Sequence, residues 1–186
     1  MIPYETERLI LRTSEASLAP DVLDFYQRNQ KEFSAVEPFD TADFFTLPIQ
    51  RRNLSFEARL QSEGRMIRFW IYKKEDPDHT IGTFSFMNIR LGSFCSATLG
   101  YKMDRDARHH GYCREAINFG IGYVSNHYSL HRIDATVKPT NQASINLLES
   151  IGFIKEGLLK QNVKLNGVWT NHLLYGLIIS ESKFFL

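Results

Sequence analysis

The segment Arg108-His109-His110-Gly111-Tyr112-Cys113-Arg114-Glu115-Ala116 gathers residue types suited to holding an anion. It follows a strand-like run and opens a helical one. The first amides of a helix lack intrahelical partners, and the positive end of the helix dipole points the same way. Such a spot suits a pyrophosphate. Gly111 permits close backbone approach, and Arg108 and Arg114 add charge. One glycine in a loop is a weak motif, and an ordinary strand-to-helix turn would read the same way.

Other reactive residues support less. His109 and His110 are adjacent, so an ordinary loop does not aim both at one ion, and no carboxylate or cysteine stands at ligand spacing. No metal is expected. Cys113 at a helix start reads as a small packing residue before it reads as a nucleophile.

The elements that must position the loop follow from periodicity. Arg8 to Thr13 reads as a strand, Leu18 to Asn29 as a helix, and Val36 to Asp40 as a turn-rich stretch before a helix around Pro48 to Gln61. Met66 to Lys73 is a strand ending at the turn signal Asp76-Pro77-Asp78. Ile81 to Ile89 and Ser96 to Met103 form a hairpin through Leu91-Gly92. Beyond the loop come a helix from Tyr112 to Tyr128, a strand from Arg132 to Val137 and a helix from Asn141 to Ser150, stopped by Gly152. Phe153 to Leu165 and Val168 to Ile179 close the chain as a hairpin turning at Asn166-Gly167. The expectation is α/β: a mixed sheet of about seven strands flanked by about four helices, one domain over residues 1–186.

A chain of 186 residues with 43% hydrophobic and 23% charged residues has the composition of an ordinary globular protein. A formal charge of +1 argues against nucleic acid as a partner. Two cysteines without CxxC spacing suggest neither a disulfide framework nor zinc. No signal peptide and no membrane-spanning run is read, so a cytoplasmic location without a membrane partner is expected. Monomer and homodimer both stay open.

Taken in order, the strand Leu99-Gly100-Tyr101-Lys102-Met103, the loop, His131-Arg132-Ile133-Asp134-Ala135, and Asn141 through Ile151-Gly152-Phe153 resemble the GNAT superfamily of acetyltransferases. Within it the chain is most similar to the RimJ/RimL-type branch, which acetylates protein N-termini, ribosomal proteins among them. Leu130-His131-Arg132-Ile133, Ile151 to Gly157 and Leu165-Asn166-Gly167-Val168-Trp169 carry that likeness. Glu7 to Arg12 matches a common opening of the branch. The resemblance implies the GNAT fold, with a mostly antiparallel twisted sheet, and acetyl-CoA as co-substrate. It places Arg108 and Gly111 in the family's Q/R-x-x-G-x-G/A loop, with backbone amides from His109, His110, Gly111, Tyr112 and Cys113 on the pyrophosphate. Leu99 to Met103 would lie along the pantetheine arm, and the Asn141 amide would hydrogen-bond that arm.

Three positions depart from the pattern. Cys113 replaces a small Gly or Ala, Thr98 stands where many members carry a glutamate base, and Leu148 where many carry a tyrosine acid. Val163 also replaces a carboxylate that some RimL-like members have. Ser144, one helical turn beyond Asn141, matches the RimL-like pattern and would donate to the departing thiolate; a plain surface serine is the equal alternative. His172 either lines an acceptor channel or is a hydrogen-bonded sheet residue. Glu32, Glu37, Asp40 and Asp43 form an acidic mouth that would steer an amine, or simply a solvated loop, the favoured reading.

Without a strong base, an α-amine is the easier acceptor. About a tenth of it is neutral at pH 7, against less than about a thousandth of a lysine side chain. The expected reaction is direct attack of a protein N-terminus on the thioester in a ternary complex. The alternatives are a small amine (aminoglycoside, polyamine or amino acid) as acceptor, or a CoA-binding sensor without catalysis.

Overall fold

The structure is a computed structural model that describes residues 3–34, 42–165 and 167–179. In chain order the strands are β1 (Tyr4–Glu5), β2 (Leu9–Thr13), β3 (Ile67–Lys73), β4 (Asp76–Arg90), β5 (Ser96–Met103), β6 (Arg132–Val137), β7 (Ile154–Leu165) and β8 (Val168–Ile178). The helices are α1 (Ala19–Arg28), α2 (Gln30–Ser34), α3 (Leu47–Ser62), α4 (Tyr112–Tyr128) and α5 (Gln142–Ile151).

Among the described residues the count is eight strands and five α-helices, one more of each than the sequence predicts. The extra strand pairs only Tyr4 with Leu11 and Glu5 with Ile10, too short to show alternation. The extra helix, α2, buries a single apolar side chain, Phe33. The turn expected at Asp76-Pro77-Asp78 falls instead at Lys74-Glu75. Lys73 pairs with Asp76 and Tyr72 with Thr80, so Pro77 to His79 bulge out of the ladder, where the missing proline N–H costs nothing. Of the sequence expectations, Val36 to Asp40, with Glu37, and Asn166 lie outside the described residues.

The sheet order is β1-β2-β3-β4-β5-β6-β8-β7. Neighbours are antiparallel except β5 and β6. Strand alternation sends Phe69, Phe84, Phe86, Leu99, Ile133, Val137, Leu173 and Tyr175 to one face, into a core shared with α4 and α5. Trp70 and Tyr72 point the other way, into a smaller core with α1 and α3. Gly120 lets α4 lie close on the sheet: a Cβ there would stand 2.9 Å from Phe86 Cε2.

One irregularity positions the site. The parallel ladder between β5 and β6 is short, pairing only Ser96 with Arg132, Ala97 with Ile133 and Thr98 with Asp134. Beyond Thr98, Leu99 to Met103 continue on β4, while Ala135 to Val137 continue on β8. The two strands splay, and a wedge opens between them.

Candidate active site

The wedge is the floor of a cleft of about 1140 Å³. Leu99, Gly100, Tyr101, Lys102 and Met103 form one wall, and Ala135 to Lys138 with the start of α5 form the other. Arg108, His109, Gly111, Tyr112, Cys113 and Arg114 close one end. The backbone edge of β5 that faces the wedge has no strand partner beyond Thr98. Peptide-like groups could pair with it as an added strand would.

The loop before α4 is shaped by two left-handed residues, His109 at φ 66° and Gly111 at φ 80°. Glycine holds the second without steric cost. No side chain caps α4. The Glu115 amide, 3.1 Å from the Gly111 carbonyl oxygen, is the first to find its helical acceptor. The amides of Tyr112, Cys113 and Arg114 therefore stay available to an anion. The Arg108 guanidinium folds back, with Nε and Nη2 each 3.4 Å from the Met103 carbonyl oxygen.

His110, expected with the others, does not line the cleft. Its ring stacks on Tyr112 with centroids 5.7 Å apart, and its carbonyl accepts from Arg8 Nη1 at 3.0 Å. Arg8 is a site residue that sequence reading missed. It lies outside the loop and grips it, donating to Glu115 and holding its Cζ 4.7 Å from the centre of the Tyr112 ring. Burial works to raise the Glu115 carboxyl, but hydrogen bonds from Thr6 and Arg8 outweigh it and hold the group below its usual range.

On the opposite wall, Asn141 caps α5, its Oδ1 accepting from the Ser144 amide at 3.2 Å. The Ser144 hydroxyl lies 2.5 Å from the Tyr101 hydroxyl. The sequence does not show this pairing, since the resemblance concerns only the backbone of Tyr101. Burial pushes the Tyr101 phenol well above its ordinary value, so it stays neutral at physiological pH and can donate through Ser144. Burial also pushes the Cys113 thiol up to about 12, which disfavours the thiolate form a nucleophile needs. Leu148 lines the cleft at 1% exposure and offers no proton.

Strand alternation gives the cleft two sides. Leu99, Tyr101, Ser144 and Leu148 lie toward α5. Arg68, Ser85, Met87, Gly100, Lys102 and His172 belong to the other face, where Glu32 and Phe33 of α2 also line the cleft. Arg68 Nε donates to Glu57 Oε1 at 2.8 Å, and Ser14 donates to the other Glu57 oxygen at 2.6 Å. Two buried polar atoms on this side, Glu32 Oε2 and His172 Nδ1, have no hydrogen-bond partner. The alternation of β3 could have flagged Arg68; nothing in the sequence marks that Glu32, paired with Arg105 at 3.7 Å through Oε1, turns its Oε2 inward. Among the described residues no group of three or more His, Cys, Asp or Glu could hold a metal ion. No helix among them is long and apolar enough to cross a membrane.

Comparison with known proteins agrees with this geometry. A family model described as "Acetyltransferase (GNAT) domain" matches residues 8–154. Over 176 residues the chain is 32% identical to the probable N-acetyltransferase YjcK of Bacillus subtilis (strain 168), covering 94% of this chain and 96% of that protein. It is 31% identical over 175 residues to the [ribosomal protein uS5]-alanine N-acetyltransferase of Escherichia coli (strain K12), covering 92% and 88%. Mycobacterium smegmatis RimJ, solved in complex with CoA-disulfide, superposes with a TM-score of 0.86 at 26% identity, covering 94% of this chain and 84% of that one.

Proposed function

The chain belongs to the GNAT acetyltransferase family, and on that premise we propose that it moves the acetyl group of acetyl-CoA onto the α-amine of a protein or peptide N-terminus. The observation that carries the reading is the wedge between β5 and β6, which runs to the uncapped start of α4. The pyrophosphate belongs on the amides of Gly111 to Arg114, with Arg108, Arg114 and the His109 backbone beside it. The pantetheine arm belongs along Leu99 to Met103, within reach of the Asn141 amide nitrogen. Pairing with a ready backbone edge needs no rearrangement, which favours productive positioning of the thioester.

The amine nitrogen attacks the thioester carbonyl carbon, the C–N bond forms and the C–S bond breaks. The amine gives up one N–H proton to solvent, and the thiolate, held by a hydrogen bond from the Ser144–Tyr101 pair, takes one back from solvent, so protons balance. The thiol pKa of about 8.5 makes this leaving group undemanding. An N-terminal acceptor is supported by the relative that acetylates the uS5 alanine and by the larger neutral fraction of an α-amine. The buried, unpartnered oxygen of Glu32 also suits a cationic amine at the cleft. The family match over 8–154 and the continuation of the same sheet to Ile178 support one transferase domain. A cytoplasmic location goes with this reading.

A thiol-release assay with acetyl-CoA tests it, run against short peptides, polyamines and aminoglycosides. Release that requires a free peptide α-amine is the expected result. Release with small polycations alone replaces the acceptor. Acetyl-CoA binding with no turnover on any amine supports a non-catalytic sensor.

A further inference from the structure

A second cavity, of about 770 Å³, lies where the end of α3 meets β4 and β5. Leu60, Met66, Met87 and Ile89 give it an apolar wall. Two arginines, Arg65 and Arg90, also line it, and among the described residues no acidic side chain does. Met87 is the one described residue that it shares with the cleft. The Met87 methyl lies over Gly100: a Cβ on that glycine would stand 3.1 Å from Met87 Cε. What stands between the two cavities is therefore an unbranched thioether, a side chain that adapts readily to its neighbours.

Register puts this cavity at the end of the acyl donor's path. β5 runs into the anion loop, so an arm laid from the loop along β5 passes Met103 first and brings its thioester to Leu99. There the β6 ladder, which ends with Thr98 against Asp134, closes the wedge. An acyl group longer than acetyl must leave the plane of the sheet at this point. On the α5 side it meets Phe86, Leu99 and Leu148, each at most 4% exposed, in a filled core. On the other face Met87 pairs with Thr98, and both line the second cavity. Arg90 pairs with Ser96, two residues and about 7 Å further along β5. A four-carbon chain met by an arginine side chain spans that distance.

The charges at the far end are not balanced. Arg65 Nη1 lies 3.2 Å from Glu63 Oε2, a carboxylate that Arg59 also approaches. Arg90 pairs with no carboxylate among the described residues. It donates to Ser96 Oγ at 3.0 Å, and its Cζ stands 4.5 Å from the centre of the Phe94 ring. We propose that this cavity is an acyl pocket for a short dicarboxylic acyl group, so that the enzyme takes succinyl-CoA as a donor besides acetyl-CoA. The methylenes lie against Met87 and Leu60, and the free carboxylate meets Arg90 and Arg65. This rests on the placement of the donor given above. The amine nitrogen attacks the thioester carbonyl carbon, the C–N bond forms and the C–S bond breaks. One N–H proton goes to solvent and the thiolate takes one back. The product is an N-succinyl amide, which puts an anionic group where the acceptor carried a cationic amine.

The test compares acetyl-CoA, butyryl-CoA and succinyl-CoA on the full chain. By calorimetry, succinyl-CoA is expected to bind about tenfold more tightly than butyryl-CoA, which has the same chain length without the carboxylate. The double variant Arg65→Gln, Arg90→Gln should lose that tenfold preference and bind acetyl-CoA as the wild type does. Both side chains are exposed, so the variant should melt like the wild type. With short peptides as acceptors, thiol release should show wild-type turnover of succinyl-CoA. The double variant should lower kcat/KM for succinyl-CoA about tenfold and leave that for acetyl-CoA unchanged. Equal or weaker binding of succinyl-CoA relative to butyryl-CoA overturns the proposal. So does a succinyl preference that survives in the double variant, or transfer of acetyl without transfer of succinyl. Binding separates this proposal from the reading beneath it. A wild type that keeps the arginine-dependent preference but transfers nothing to any amine fails the acetyl-transfer reading, and succinyl transfer falls with it. Acetyl transfer without the preference fails the acyl pocket only.

Discussion

Arg8 and Glu115 stand 107 residues apart in sequence, yet Arg8 Nε donates to Glu115 Oε2 at 2.7 Å. The Arg8 backbone amide donates to the other carboxylate oxygen at 2.9 Å, and Arg8 Nη1 holds the His110 carbonyl at 3.0 Å. The first strand pair is thereby tied to the loop that faces the cleft. Arg8→Met keeps the apolar stem and removes the donors. We expect about a tenfold rise in the KM for acetyl-CoA, the lower end for loss of a supporting contact, with a smaller change in kcat. Initial-rate titration with acetyl-CoA reads this directly, and an unchanged KM would detach Arg8 from the site.

Gly111 tests the anion site itself. Its φ of 80° disfavours any side chain, and a Cβ would stand 3.4 Å from Arg8 Nη2. Gly111→Ala should weaken acetyl-CoA binding by about 1–2 kcal/mol, the size of left-handed strain. Gly111→Glu adds bulk and a negative charge beside the pyrophosphate and should abolish measurable binding. Calorimetry with acetyl-CoA separates the two; equal affinity in wild type and glutamate variant would mean that the phosphates bind elsewhere.

Much of this was legible from local pattern, and what was not depends on distance. Helix and strand periodicity placed α1, α3, α4, α5 and most of the sheet, because their apolar residues repeat with one period over many positions. The two-residue β1 and the five-residue α2 carry too few residues for a period. The cleft-lining backbone of Leu99 to Met103 and the loop could be named because family likeness resides in contiguous strings. Arg8 could not, since its role comes from contacts across 107 residues; Arg68 shows only as one face of β3, and Glu32 only as part of an acidic stretch, without its place on the cleft. The Tyr101–Ser144 pair spans 43 residues and needs the splay to exist before it can form.

That pair yields a prediction about leaving-group protonation. Tyr101→Phe removes one hydroxyl and leaves Ser144 able to donate; Ser144→Ala removes the group next in the relay. Ser144→Ala should slow transfer about tenfold, equivalent to one hydrogen bond of roughly 1.4 kcal/mol, with acetyl-CoA affinity nearly unchanged. The double variant should be no slower than Ser144→Ala, because the two hydroxyls act as one unit. Single-turnover rates measure the chemical step, and additive losses would show that the hydroxyls act separately.

Asp104 predicts how the enzyme fails in acid. It caps the turn Arg105–Ala107 that leads into the loop, accepting from the Asp106 amide at 3.0 Å. Its other oxygen accepts from Asn29 Nδ2 at 3.0 Å and Arg28 Nη2 at 2.8 Å, which joins the end of β5 to α1. Burial would raise the Asp104 carboxyl, yet the bonds from Asn29, Asp106 and Arg28 prevail and hold it below its ordinary value. A depressed carboxyl contributes stability that is complete above its unfolded pKa of about 4 and lost as the pH falls through the folded value. Asp104→Asn should therefore cost about 1–2 kcal/mol near neutrality, since Arg28 loses this carboxylate but keeps Asp24 and the Thr80 carbonyl. The penalty should shrink below about pH 4, as the wild-type carboxyl is itself protonated. Melting curves from pH 3 to pH 8 decide it: wild type and variant should converge in acid, and a gap of constant size would assign the loss to packing instead of charge.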